Sequence, residues 1–269
     1  MKNLTIAVLT GHSPEYLPLA EQTIYRNKLD YCKRHGYCLV LHNIVSPKFQ
    51  DPGSHASGYS WSRLEALAEL VESGIYDWVW TVGCDTLITN FNISLEEIIG
   101  TAETPEAQSK KLQPCPYFPN SPAPHPVISW KAPANHVWSG RKHLIIAGER
   151  VTSMQADSFF VRGSKEGAHY VRDILSHYNQ YKHHVWVENQ TMIDLRDKHA
   201  AITHMAPQWM INCVDYSRWY ALRREYRDHT DCYGNRGQWR RGDFLIHWPS
   251  SSLQQRLVWA HQYGQQIIQ

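Results

Sequence analysis

One stretch, residues 76–90, constrains the fold of this chain more than any other. Trp78–Val82 is an aromatic and β-branched run, and such a run bounded by glycine predicts a buried strand. Gly83 ends the run, and the carboxylate of Asp85 follows two residues later. Ligands of open α/β sheets bind outside the carboxyl ends of the strands, so Asp85 is a candidate ligand-binding residue. An ordinary turn built from Gly83 and Asp85 is the alternative.

The bulk composition argues against several classes of protein. The chain has 269 residues and a net charge of +2, which does not predict a nucleic-acid-binding surface. No apolar stretch approaches the roughly 20 residues that span a bilayer, and 4–10 is too short for a secretory signal. The six cysteines lack CxxC spacing, so we expect reduced thiols and no zinc. These features predict a cytoplasmic protein without nucleic-acid partners and without an integral membrane segment.

Predicted strands and helices alternate along the chain, which is typical of an α/β fold with a mostly parallel sheet. Strands are predicted at 4–10, 38–42, Trp78–Val82, 143–147, Gln155–Arg162, 201–204 and 244–246. Helices are predicted over 15–35, from an N-cap at Ser60, over 94–100, over 166–181 and from Glu188. Eight of the fourteen prolines lie between Pro105 and Pro133, which predicts an insertion over 101–142 in a single domain spanning 1–269.

Two candidate ligand-binding positions lie in the first third of the chain. The loop Thr10-Gly11-His12 follows the first strand and is small enough to let a nucleotide approach the backbone. An ordinary β–α connection explains it as well, and no GxGxxG or P-loop motif is present. Arg63 lies in the first turn of a helix, where a cation opposes the helix dipole. Its position predicts a nearby anion, either a ligand or a partner carboxylate.

Three further polar positions lie in the second half of the chain. Asp157 interrupts an apolar strand, where a carboxylate is costly unless it is paired or functional. Glu188, Asn189 and Gln190 lie together at a helix start, and complementation of the helix dipole by Glu188 is the simpler explanation. His247 directly follows the apolar run 244–246, a placement that suits a metal ligand, and a hydrogen-bonded structural histidine is the alternative.

The order of these pieces resembles the glycosyltransferase family of yeast α-galactosyltransferases, α-1,6-mannosyltransferases and plant xyloglucan xylosyltransferases. The pieces are Trp61-Ser62-Arg63, residues 78–90, Gln155–Arg162, Glu188-Asn189-Gln190, Pro207-Gln208 with Ile211-Asn212, and residues 242–247. No piece is specific alone, but their order is. The resemblance implies a single GT-A domain, in which helices flank a Rossmann-type, mostly parallel central sheet.

The resemblance also implies a function. It is that of a retaining glycosyltransferase, which moves a hexose or pentose from a nucleotide-sugar donor to a carbohydrate or other hydroxyl acceptor. Such enzymes commonly use Mn²⁺ or Mg²⁺, which neutralises the leaving diphosphate. The implied donor-binding residues are Thr10, Gly11, His12, Arg63 and Asp85. The implied metal ligands are Asp85 and His247. The implied reaction centre contains Asp157, Glu188, Asn189 and Gln190.

The chain departs from the family pattern at several of these positions. The Asp-x-Asp motif is here Gly83-Cys84-Asp85, so one carboxylate is absent. Where the family has a lysine before the metal strand, this chain has Arg63, and where the family has a glycine in the middle strand, it has Asp157. Asn189 replaces the second acidic residue of the helix element. We therefore expect weak metal binding that requires the donor, or an enzyme that works without metal. The alternative function is a non-catalytic carbohydrate- or nucleotide-binding relative of the same fold.

Overall fold

A central β-sheet organises the computed structural model, which describes residues 4–50, 58–109, 141–149, 154–216, 230–231, 233 and 235–269. The strands in these residues are β1 Ile6–Thr10, β2 Cys38–Leu41, β3 Trp78–Val82, β4 Thr86–Ile88, β5 Leu144–Ala147, β6 Gln155–Arg162, β7 Thr203–Ala206, β8 Cys213–Val214 and β9 Leu245–His247. The central sheet has the order β2-β1-β3-β6-β5-β7. Only β6 runs antiparallel to its neighbours. The predicted mostly parallel α/β sheet is confirmed.

Helices flank this sheet on both faces. Those in the described residues are α1 Leu17–Gln22, α2 Leu29–His35, α3 Tyr59–Glu72, α4 Leu95–Ala102, α5 Pro105–Ser109, α6 Lys165–Ser176, α7 Tyr178–Tyr181, α8 Val187–Asp194, α9 Gln208–Ile211 and α10 Leu253–Gly264. Short 3-10 turns lie at Pro14–Tyr16, Pro47–Phe49 and Ala200–Ile202, and a π-helix lies at Thr23–Lys28. None of the described helices is both long enough and apolar enough to cross a bilayer.

The hydrophobic core lies on both faces of the central sheet because successive strand residues point to opposite sides. On one face, Val8 and Trp80 pack with apolar residues of α2 and α4. On the other face, Leu9 and Val79 pack with apolar residues of α3 and α6. β1 and β3 are buried along their whole length, as their sequences predict.

A second, three-stranded sheet brings the C-terminal part of the chain to the end of β3. Its order is β4-β9-β8, and Thr86 of β4 pairs with His247 of β9. The turn that joins β3 to β4 carries Asp85, so this pairing brings Asp85 close to His247. In the central sheet, β3 pairs with β6, and the amide of Gly83 donates to the carbonyl of Asp157 at 2.8 Å. Two sheets therefore meet at one short turn.

Some local predictions need correction. Ser60 is not the N-cap of α3, because the helix begins at Tyr59 after Gly58 and has no side-chain cap. The predicted helix 15–35 is divided by the π-helix, although it ends at Gly36 with a left-handed φ of 75° as expected. The strand predicted at 201–204 begins only at Thr203, after a 3-10 turn. Most of the predicted insertion 101–142 lies outside the described residues.

Candidate active site

Three potential metal ligands converge where the two sheets meet. Nε2 of His247 lies 3.6 Å from Oδ2 of Asp85 and 3.4 Å from Oδ2 of Asp157. One ligand atom from each of the three residues lies within 4.8 Å of the other two. The β3–β4 turn, β6 and β9 each contribute one residue. Residues that are 162 positions apart in sequence, Asp85 and His247, thus face the same point.

The chemistry of this group fits a divalent cation. His247 is fully buried, and neither ring nitrogen has a hydrogen-bond partner among the described residues. Buried polar atoms without partners are rare in folded proteins because they lose their bonds to water. A cation bound at this point would give Nε2 a partner. Carboxylate oxygens are ligands that both manganese and magnesium prefer, and the site offers two carboxylates beside the imidazole. The structure therefore places the carboxylate of Asp157 beside the two predicted ligands, Asp85 and His247.

The charges around Asp85 stabilise its ionised form. Nη2 of Arg256, on α10, lies 3.0 Å from Oδ2 of Asp85. Burial alone would raise the pKa of Asp85, but the charges of Arg256 and His247 hold this pKa well below its ordinary value. Burial acts in the opposite direction on His247, and the charges of Asp157 and Asp85 raise the pKa of its imidazole above the ordinary value. The group is thus a pair of carboxylates beside the guanidinium of Arg256 and the imidazole of His247.

Gly83 lies against both carboxylates. A Cβ atom at this position would lie 2.7 Å from Oδ1 of Asp85 and 3.4 Å from Oδ1 of Asp157. The position where the family motif has its first carboxylate therefore borders the carboxylate of Asp157 on the neighbouring strand.

The loop after β1 lies at the same edge of the central sheet as Asp85, because β1 and β3 are parallel neighbours. Thr10 is buried, and its hydroxyl has no hydrogen-bond partner among the described residues. Gly11 packs closely on the backbone, since a Cβ there would lie 1.9 Å from the carbonyl oxygen of His42. The ring of His12 contacts the carbonyl of Ser13 at 2.9 Å. The donor-binding role of Thr10, Gly11 and His12 stays a prediction.

Arg63 faces a carboxylate of the protein in the described structure. Its Nη2 atom lies 3.8 Å from Oε1 of Glu188, and both side chains are nearly buried. The partner-carboxylate alternative from the sequence is therefore what the structure contains. Burial raises the pKa of Glu188, the charge of Arg63 opposes this shift, and the charge of Asp157 adds to it.

The two residues after Glu188 have structural partners. Oδ1 of Asn189 accepts a hydrogen bond from the amide of Ala156 at 2.9 Å, which ties the start of α8 to β6 beside Asp157. Gln190 donates to Oδ1 of Asp194 at 2.8 Å. The residue before Glu188, Val187, has a φ of 44°, an uncommon conformation for a β-branched residue. Asn189 thus fixes the start of α8, whereas Gln190 bonds within this helix.

Arg256 is the site residue that the sequence analysis missed. Its Nε donates to the carbonyl of Trp248 at 3.1 Å and its Nη1 donates to the hydroxyl of Tyr16 at 3.0 Å. Helix α10, which carries Arg256, was not predicted, although Ser252 and Gln255 form a capping box at its start. That Ser-x-x-Gln spacing is a readable helix signal, but nothing in it indicates which side chain reaches Asp85.

Comparisons with known proteins agree with this architecture. A sequence profile of the galactosyl transferase GMA12/MNN10 family matches residues 3–251. No curated protein matches the chain significantly by sequence.

Solved glycosyltransferase structures resemble the fold. A glycosyltransferase involved in glycosylation of the major capsid of PBCV-1 has 13% identity and a TM-score of 0.57, with 96% of this chain and 99% of that chain covered. The glycosyltransferase GlyE of Streptococcus pneumoniae TIGR4 has 14% identity and a TM-score of 0.50, with 96% and 60% covered. The bifunctional WbbM has 9% identity and a TM-score of 0.50, with 98% and 52% covered. At these identities the likeness establishes the GT-A fold.

Proposed function

The chain belongs to the galactosyl transferase GMA12/MNN10 family and is a glycosyltransferase, and we propose that it transfers a hexose or pentose with retention of configuration. The donor is a nucleotide sugar, and the acceptor is a hydroxyl group, that of a glycan in the simplest case. The observation that carries this proposal is the convergence of Asp85, Asp157 and His247 at the end of β3. Open α/β sheets bind ligands at this edge.

Asp85, Asp157 and His247 would hold Mn²⁺ or Mg²⁺ together with the donor diphosphate. When bound, the ion supplies positive charge that stabilises the leaving diphosphate. The sequence hypothesis assigned Asp157 to the reaction centre, whereas its distance of 3.4 Å from Nε2 of His247 favours a role as metal ligand. Asp157 supplies the second carboxylate that Gly83 lacks, and this supports a metal-assisted enzyme over a metal-independent one.

Arg256 would add a permanent positive charge beside the diphosphate. Its guanidinium is positioned by Tyr16 and Trp248, so it contributes charge without large movement. Such preorganised charges are worth more in a site that excludes water than in solution. Arg63 is the second arginine of the site. It would bind the donor phosphates after breaking its contact with Glu188.

The remaining predicted residues would position the two substrates. Thr10, Gly11 and His12 would contact the donor nucleotide at the end of β1. Glu188, Asn189 and Gln190 would lie under the donor sugar, with Asn189 fixed to β6 by the amide of Ala156. In retaining transfer the leaving phosphate can itself accept the acceptor proton, so the protein mainly orients the substrates and stabilises charge.

The domain organisation and the compartment are further parts of the proposal. We place residues 1–269 in one GT-A-like domain with the proline-rich stretch 101–142 as an insertion. The two sheets support a single domain because Asp85 and His247 share one site. We also propose a cytoplasmic location, which the free cysteines Cys32, Cys38, Cys84 and Cys213 favour.

Hydrolysis of nucleotide sugars tests the proposed function. The purified protein is incubated with a panel of nucleotide sugars, with manganese, with magnesium and with a chelator. We expect slow release of the sugar in manganese or magnesium and loss of this activity in the chelator. The matched variants are Asp85→Asn in the site and Asp30→Asn on the surface, where the side chain is 63% exposed. Nucleotide binding without any turnover, on donors or acceptors, would instead support a non-catalytic relative.

A further inference from the structure

A π-helix in the first helical region contacts the turn that carries Asp85. The segment Thr23–Lys28 interrupts the helical stretch between α1 and α2. Asn27 and Lys28 lie four and five positions after Thr23, about one turn of a π-helix. The side chains of all three residues lie on the side of the helix that faces residues 84–88. All three are buried, although their side chains are polar or charged. π-helical segments cost stability relative to α-helix and are frequent at functional sites.

These three side chains bind alternate carbonyl groups of the turn and of β4. The Thr23 hydroxyl lies 2.6 Å from the carbonyl of Cys84 and 3.0 Å from that of Leu19, so its single proton is donated to Cys84 at the shorter distance. Nζ of Lys28 donates to the carbonyl of Thr86 at 2.8 Å. Nδ2 of Asn27 donates to the carbonyl of Ile88 at 2.8 Å, and its Oδ1 accepts from the amide of Ile88 at 2.8 Å. The side chains thus bind β4 as a neighbouring strand would.

The position of β4 explains why such bonds are needed. β4 lies at the edge of the three-stranded sheet and pairs with β9 on its other side. A buried strand edge leaves carbonyl groups without partners, at a cost of the same order as a lost hydrogen bond. On the side of β9, the carbonyl of Asp85 accepts from the amide of Trp248 at 3.1 Å. The backbone around Asp85 is therefore fixed from both sides.

We propose that Thr23 and Lys28 are positioning residues that orient Asp85 for the cation and the donor diphosphate, while Asn27 holds the far end of β4 at Ile88. Thr23 and Lys28 bind the carbonyls directly before and after Asp85, so they fix the direction of its side chain. This inference rests on the proposed function of Asp85 as a metal ligand. It assigns to the π-helix the role that outer-shell hydrogen bonds have in metal sites.

Substitutions of similar shape test the proposal. Thr23→Val and Lys28→Met remove the donors, whereas Thr23→Ser keeps the hydroxyl. We expect Thr23→Val and Lys28→Met to weaken manganese binding in the presence of uridine or guanosine diphosphate by about 10- to 100-fold. Thr23→Ser should stay within about twofold of the unmodified protein, because the bond to Cys84 is retained. Isothermal calorimetry with manganese, with each nucleotide and with both measures these affinities.

Thr203→Val is the matched structural control. Its buried hydroxyl donates to the carbonyl of His199 at 2.8 Å. Thr203 lies in β7, the edge strand of the central sheet that is separated from β3 by β6 and β5. Thr203→Val should lower the melting temperature about as much as Thr23→Val does and leave manganese affinity unchanged. Equal manganese affinity in folded Thr23→Val, Lys28→Met and the unmodified protein would overturn the positioning role. Equal losses in Thr203→Val and Thr23→Val would attribute the effect to general destabilisation and also overturn it.

Amide hydrogen exchange separates this proposal from the proposed function. Exchange at residues 84–88 should become faster in Thr23→Val and Lys28→Met and stay unchanged in Thr203→Val, whether or not metal is present. If the unmodified protein binds no manganese with either nucleotide, the proposed metal site fails. Faster exchange in the two variants would then still support the restraint on the turn, and unchanged exchange would overturn the restraint as well.

Discussion

Two buried acids of the site differ in the direction of their pKa shifts, although each lies beside an arginine. We call the surroundings of Asp85, with Asp157, His247 and Arg256, the Asp85 corner. Glu188 and Arg63 form the Glu188 corner. The pKa of Asp85 is well below its ordinary value, whereas the pKa of Glu188 is raised.

The distances and the number of cations explain the difference. Arg256 lies 3.0 Å from Asp85, and His247 adds a second favourable charge. Arg63 lies 3.8 Å from Glu188, and its Nε has no hydrogen-bond partner among the described residues. Burial raises the pKa of both acids, but only at Asp85 do the neighbouring charges outweigh it. The comparison shows that partner geometry, rather than burial, decides the direction in which the pKa of each acid shifts.

The largest expected effect comes from Asp157, which influences both corners. Its charge raises the pKa of His247 and that of Glu188. We expect Asp157→Asn to weaken manganese binding with nucleoside diphosphate by at least about 100-fold, because it removes a direct ligand. Calorimetry measures this loss, with Asp30→Asn as the surface control. An unchanged manganese affinity would show that Asp157 is not a metal ligand.

An exchange between two facing positions sharpens the same assignment. Gly83 follows β3 and borders the carboxylate of Asp157, so an aspartate at position 83 could supply a ligand from the β3–β4 turn instead of β6. The carboxylate of Asp85 would have to turn away, because the new Cβ would lie 2.7 Å from its Oδ1. Asp157→Gly alone should lose manganese binding, and adding Gly83→Asp should restore it by roughly 10-fold, the lower end of ligand-shell effects. Gly83→Ala in the Asp157→Gly background is the control without a carboxylate. No recovery with Gly83→Asp would show that a ligand is required specifically on β6.

Arg256→Met tests whether the cation beside Asp85 competes with metal. Without the guanidinium, Asp85 is free to bind manganese in the absence of nucleotide, and we expect this affinity to rise by about tenfold. Affinity for the nucleoside diphosphate should fall, because a permanent positive charge is lost. Titrations of metal alone and of nucleotide alone separate the two effects. Weaker binding of metal alone would indicate that Arg256 supports the ligand geometry instead.

The smallest effect concerns the Glu188 corner and is a pH dependence of stability. The pKa of Glu188 is raised above its ordinary value of 4.5 in the folded protein, first by burial. Its ionisation therefore costs stability above the folded pKa, and this cost vanishes as pH falls below the unfolded value. We expect the free energy of unfolding, relative to Glu188→Gln, to rise as the pH falls from neutral to about 4.5.

Denaturant unfolding at several pH values measures this difference. The lost partner of Arg63 in Glu188→Gln adds a constant offset, because the guanidinium stays charged over this range. A difference that falls with decreasing pH would mean that Arg63 outweighs burial, and the two corners would then be alike.

The sequence predicted the strands that build the central sheet and most of the residues at its edge. β1, β3 and β6 are apolar runs bounded by polar residues or glycine, and local patterns of this kind suffice to identify buried strands. Asp85 could be singled out because it follows such a run in a known type of sheet. His247 could be singled out because it follows the apolar run 244–246, and the family resemblance assigned both residues to one metal site. The structure brings the two residues together.

The tertiary structure alone decided which groups contact Asp85. Asp157 reaches Asp85 and His247 because β6 runs antiparallel to β3, a pairing that no local pattern specifies. Arg256 arrives from a helix near the C-terminus. Lys28, which binds the carbonyl of the next residue, Thr86, arrives from a π-helix within a segment predicted as one continuous helix. Local sequence encodes which face of an element is apolar. Which charged atoms meet across elements depends on strand register and helix packing, and these are set by contacts between residues far apart in the chain.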